Sequence, residues 1–138
     1  QVPLHELPYV GVGPFHTNTR EGVRRAREIL RRAKSPNRQI LMITDGKPSA
    51  LTEPDGTIYK NPMGLDRRIV NKTLEEAGQC RRLGIPITTI MLTRDPTLVR
   101  FVEQFTEENH GRAFYASPDD LSSFVLVDFV QNRRRRAR

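Results

Sequence analysis

Gln39-Ile40-Leu41-Met42-Ile43-Thr44-Asp45-Gly46 decides the fold, because four consecutive aliphatic side chains end abruptly in a carboxylate and a glycine. Ile40 to Ile43 leave no polar face, so the segment reads as a central strand covered on both sides, the habit of a parallel sheet between helices. Ligands of open α/β sheets gather beyond the carboxyl ends of such strands. Asp45 stands at that end, and Gly46 lets the backbone turn sharply. Asp45 is therefore the first candidate functional residue, although Asp-Gly is also an ordinary turn signal.

Downstream, Lys47 to about Leu65 reads as a long loop punctuated by Pro48, Pro54, Gly56, Pro62 and Gly64, with Tyr59 available to pack it down. Asp66 is placed to cap a helix whose buried stripe is Val70, Thr73, Leu74, Ala77 and Cys80 and whose stop is Gly84. Cys80 on that stripe reads as a core thiol. Ile85 to Leu92 is a second strand. Asp95-Pro96 opens a further helix with the apolar face Leu98, Phe101, Val102 and Phe105, ended by Gly111, with His110 on the surface. Arg112 to Ala116 is a short third strand. Ser117, with Asp120 three residues later, predicts a last helix whose face is Leu121, Phe124, Val125 and Phe129, with Asp128 beside it.

Upstream, Asn18 can cap a helix and Glu21 can reach back to it in a capping box. Val23, Ala26, Leu30 and Ala33 follow at helical spacing, Arg24, Arg27, Arg31 and Lys34 lie mostly on the other, solvent-facing side, and the helix ends before Pro36. Residues 1–16 read as a connecting segment. Gly11-Val12-Gly13 lacks the third glycine and the preceding strand of a dinucleotide loop. Helix and strand alternate four times, which predicts a Rossmann-like α/β fold with parallel central strands and helices on both faces, half of a doubly wound sheet.

The 138 residues make one ordinary domain by length. The net charge of +7 suggests a polyanion partner until it is located: Arg133, Arg134, Arg135, Arg136 and Arg138 carry five of the seven charges. Residues 133–138 are expected to be a disordered basic tail behind a domain of residues 1–132. One cysteine excludes an internal disulfide. With no apolar run of membrane-spanning length and no leader, the expected location is the cytoplasm, away from membranes.

Thr17-Asn18-Thr19 with Gly22, then Ile-Leu-Met-Ile-Thr-Asp-Gly-Lys-Pro from Ile40, Gly111 to Tyr115, and Leu126-Val127-Asp128-Phe129 together resemble a von Willebrand factor type A (vWA) domain of the intracellular bacterial kind. The resemblance covers nearly the whole chain but only the C-terminal half to two-thirds of the family's domain. It implies a module for cation-dependent protein binding, not an enzyme. Its metal-ion-dependent adhesion site (MIDAS) holds Mg²⁺ or Mn²⁺ with an Asp-x-Ser-x-Ser loop, a threonine and an aspartate. The threonine falls on Thr17, with Thr19 second, and the aspartate on Asp45.

Asp-x-Ser-x-Ser does not occur in this sequence; the strand carrying it precedes this chain in the family order. A hard divalent cation needs about six oxygens, so weak or no metal binding is expected from the chain alone. The implied partners are a protein presenting Asp or Glu and, in bacterial relatives, a AAA+ ATPase. An unpaired edge on the central strand is expected either to take up the missing half or to pair with a second copy.

Two other readings stay open. Asp45 could serve a phosphoryl-transfer or hydrolytic enzyme of the same topology, which calls for a second carboxylate where Lys47 stands. The Arg-rich helix and tail could contact nucleic acid, against which stands the lack of interleaved aromatics.

Overall fold

The computed structural model describes residues 16–117 and 120–127, so the connecting segment, residues 128–132, Asp128, Phe129 and the basic tail lie outside the described residues. Within them the order is α1 (Thr19–Arg31), β1 (Ile40–Thr44), β2 (Ala50–Thr52), β3 (Ile58–Lys60), α2 (Arg67–Arg82), β4 (Ile87–Met91), α3 (Pro96–Asn109), β5 (Arg112–Ser117) and β6 (Asp120–Val127). The main sheet runs β1-β4-β5-β6. β1, β4 and β5 are parallel, joined through α2 and α3, as the alternation requires.

The capping signals place the helices as expected. The Asn18 side chain accepts from the Glu21 amide, Asp66 from the Ile69 amide, and Asp95 from the Thr97 amide with Pro96 in the first turn. Gly84, at φ 72°, turns the chain out of α2. At the end of α3 the left-handed residue is His110, at φ 60°, and not Gly111. Gly111 is required for another reason: a Cβ there would lie 2.1 Å from the Ile87 carbonyl oxygen.

Two of the expected elements differ. The segment from Asp120 is strand β6, antiparallel to β5, with Phe114 opposite Leu126 and Tyr115 opposite Val125. Leu121, Phe124 and Val125 fit a helical period. The run Phe124 to Val127 is also strand-forming, and Ser117 and Asp120 stand a hairpin's two residues apart, so ladder pairing overrides the helical reading. The expected loop of residues 47–65 contains a small antiparallel hairpin, β2 with β3. The Glu53 carbonyl accepts from the Gly56 amide, and the Glu53 amide donates to the Thr57 carbonyl. Pro54-Asp55-Gly56, with Gly56 at φ 89°, is thus a turn between two short β-forming runs.

The third difference concerns the layers. Val23 of α1, Val70, Ala77 and Cys80 of α2, and Leu98, Phe101 and Phe105 of α3 share one core with Ile40, Ile87, Met91 and Ala113 of the sheet. All three helices cover the same face. Crossovers between parallel strands are right-handed, and here both step in one direction, from β1 to β4 to β5, so they return on one side. The alternate β1 residues, Leu41 and Ile43, are 61% and 59% exposed. Among the described residues the helices lie on one face, and the other face is open at β1 while Ile90 and Phe114 farther along it are half-buried.

Buried polar groups tie the layer together. Asn109 accepts from the Ile87 amide at 2.8 Å and donates to the Ala77 and Ile85 carbonyls, linking α2, α3 and the start of β4. Glu76 of α2 receives Arg27 of α1 at 2.8 Å and Arg20 at 3.6 Å. Arg24 and Arg25 close on Glu21, which is 2% exposed, and chiefly Arg24 holds its carboxyl below the ordinary value, against the opposing effect of burial. Four of the helix's arginines thereby share two glutamates within the fold, and Glu21 serves Arg24 and Arg25 instead of a capping box.

Candidate functional site

Thr17 immediately precedes the Asn18 cap of α1, and Asp45 follows β1, so helix entry and strand exit meet at one end of the sheet. A Cβ on Gly46 would lie 3.8 Å from the Thr17 hydroxyl oxygen. Thr17 is half-buried and Asp45 exposed. The turn that carries Asp45 thus lies beside Thr17, with Asp45 open to solvent. Thr44 is committed elsewhere, its hydroxyl donating to the Gly46 carbonyl at 2.9 Å, which closes the turn that carries Asp45.

The hairpin that the sequence reading missed holds the Thr17 side of this site. The Thr17 carbonyl accepts from the Ser49 and Ala50 amides, and the Thr17 amide donates to the Ser49 hydroxyl at 3.0 Å. One residue on, the Asn18 side-chain amide donates to the Thr52 hydroxyl at 2.9 Å. Ser49 is 6% exposed. Its role was hidden because a serine just after Lys47-Pro48 carries no periodic signal; the Pro54-Asp55-Gly56 turn was the cue that residues 50–60 fold back.

The hairpin's far strand is anchored in turn. The Tyr59 hydroxyl and Asn61 side-chain amide both donate to Asp66, at 2.9 and 2.7 Å, while Arg68 lies over the Tyr59 ring at 4.8 Å. These donors, led by the Ile69 amide, hold the Asp66 carboxyl below its ordinary value. At the same end of the sheet, past β4, Arg94 stacks on Tyr115 with its guanidinium 4.2 Å from the ring centre.

The Thr17 hydroxyl and the Asp45 carboxylate are oxygen donors of the type a hard cation such as Mg²⁺ takes. One hydroxyl and one carboxylate would fill only a minority of the shell of about six oxygens that such a cation needs. Thr19, the second candidate, is the first residue of α1. Beside the pair, a groove of about 280 Å³ runs between the start of α1 and the unpaired edge of β1, floored by Gly22, Val23 and Ala26 and walled by residues 40–44. A Cβ at Gly22 would meet nothing within 4 Å.

Cys80 lies fully buried on α2, away from this end, and burial pushes its thiol up to about 11. It is a core thiol and not a nucleophile. None of the described helices is long and apolar enough to cross a membrane.

A family profile described as "Rv0959-like protein, vWA domain" matches residues 6–130. Over 128 residues the chain is 31% identical to the uncharacterised proteins Rv0959 of Mycobacterium tuberculosis strain H37Rv and Mb0984 of Mycobacterium bovis. The match covers 91% of this chain but 19% of each relative, so the chain spans about a fifth of their length. No solved structure matches.

Proposed function

The chain belongs to the vWA domain family of the Rv0959-like proteins, and from that membership we propose that it is a protein-binding module contributing Thr17 and Asp45 to a divalent-cation site completed by other parts of its parent protein. The observation that carries the reading is the convergence of the Thr17 hydroxyl and the Asp45 turn at the carboxyl end of β1, beside a strand edge with no partner among the described residues. Mg²⁺ or Mn²⁺ held there would leave a position for a carboxylate, so the partner is a protein presenting Asp or Glu. A AAA+ ATPase is the partner class that the family resemblance suggests. The single cysteine supports a cytoplasmic setting.

Binding and not catalysis is the proposed activity. A phosphoryl-transfer site on Asp45 calls for a second carboxylate two residues on, and Lys47 there donates its ammonium to the Pro62 carbonyl at 3.0 Å.

The test is calorimetric titration of Mg²⁺ and Mn²⁺ into this chain, into a longer piece of the parent protein that includes any Asp-x-Ser-x-Ser strand, and into its Asp45→Ala variant. The proposal expects binding by the longer piece, little or none by this chain, and loss in the variant. Equal binding with and without Asp45 would remove Asp45 from the site and return it to a turn residue.

A further inference from the structure

The opposite end of the molecule, where the helices finish and the strands begin, carries a second concentration of charge. Arg31, Arg32 and Lys34 lie at the end of α1, Arg81 and Arg82 at the end of α2, and Arg38 lies between them. Arg38 fixes the arrangement, because its guanidinium donates to the Leu30 carbonyl of α1 and to the Leu83 carbonyl after α2. Segments 29–39 and 77–90 contain these six cations and no carboxylate at all. Arg32, Lys34, Arg81 and Arg82 are exposed, and none forms an ion pair among the described residues.

A basic residue in the last turn of each helix complements its dipole. That accounts for one or two charges per helix. It does not account for Arg32, Lys34, Arg81 and Arg82 standing together without an ion pair among the described residues, in a chain that pairs Arg20, Arg24, Arg25, Arg27 and Arg31 with glutamates. Between the two clusters lies a shallow recess of about 310 Å³, lined by Pro36, Asn37, Arg38, Gln39, Gly84 and Pro86. Its lining is as much apolar as polar, and Pro36, Gly84 and Pro86 are exposed.

We propose that this end is a second docking surface, taking an acidic, extended polypeptide segment whose carboxylates pair with Arg32, Lys34, Arg81 and Arg82 while its backbone lies along the recess. Guanidinium groups on both rims suit bidentate carboxylate contacts. A single-stranded nucleic acid would need aromatic platforms, and none of the described residues lining the recess is aromatic. A duplex is too wide to enter a recess of this size, which an extended peptide fits. The segment docks independently of any cation, since the Thr17–Asp45 end lies across the molecule. The proposal rests on the protein-binding reading but is separable from it.

Fluorescence anisotropy of a labelled oligoglutamate peptide provides the test, with the oligoglutamine counterpart and a short DNA duplex as comparisons, all in chelator. The five terminal arginines, Arg133, Arg134, Arg135, Arg136 and Arg138, are changed to Ser throughout so that the tail cannot answer for the surface. Oligoglutamate should bind this chain and weaken as salt rises. Arg32→Glu with Arg81→Glu should lower its affinity about tenfold or more, and the paired Gln changes about threefold, because reversal adds repulsion to the lost attraction. These side chains are exposed, so circular dichroism should be unchanged. Affinity insensitive to the reversal would overturn the proposal, as would tighter binding of the duplex than of oligoglutamate at equal ionic strength. Loss of cation binding in the other experiment would leave this result untouched.

Discussion

Asn109 shows how one side chain can hold three elements. Its carbonyl oxygen accepts from the Ile87 amide and its amide nitrogen serves two carbonyls. Asn109→Leu would strand one donor and two acceptors in a site that is 3% exposed. Each unsatisfied buried group costs about 1–3 kcal/mol, so urea unfolding should show a loss of roughly 2–4 kcal/mol. Cys80 offers a second reading at this scale. In the fold its thiol is pushed up to about 11 from an ordinary value of 9.0. The unfolded chain therefore releases the thiol proton first as pH rises. Stability from this group is intact below about pH 9 and declines from there towards pH 11, and Cys80→Ala should flatten that part of the profile in chemical unfolding across the range.

Among the elements, those legible in the sequence had local chemistry that matched their tertiary setting. Asn18, Asp66 and Asp95 cap their helices because each cap needs only its own next few amides. β6 was misread because Leu121, Phe124 and Val125 satisfy two periods, and the choice between them belongs to β5, the neighbour that offers a ladder. The hairpin of β2 and β3 had its turn in plain view at Pro54-Asp55-Gly56, but strands of three residues leave almost no periodicity to read. Thr17 and Asp45 could be linked in the sequence only through family resemblance, since 28 residues separate them and nothing local joins them. Ser49 and Thr52, which hold the Thr17 turn, were not legible, because their partners are more than 30 residues away. At this scale β1 yields a prediction. Its free edge and the exposed Leu41 and Ile43 favour association by strand pairing. Leu41→Lys with Ile43→Lys should abolish concentration-dependent association in sedimentation velocity while leaving the helical signal of circular dichroism intact, because neither side chain belongs to the shared core.

The described residues form a layer of three helices on one face of a four-stranded sheet, with Thr17 and Asp45 at one end and a cluster of arginines and a lysine at the other. The sequence conveyed the parallel sheet but not its one-sidedness, because four aliphatic residues in β1 state that both faces want cover without stating what supplies it. The open face at the β1 edge also makes heat denaturation a detector. Any molecule that covers Leu41 and Ile43 binds the native chain and not the unfolded one, so it adds RT ln(1 + [L]/Kd) to stability, about 2.7 kcal/mol at a hundredfold excess over Kd. The melting temperature of this chain thus becomes a gauge of whatever binds at that edge. A rise on mixing with separate pieces of the parent protein would sort them by which one the sheet was built to receive.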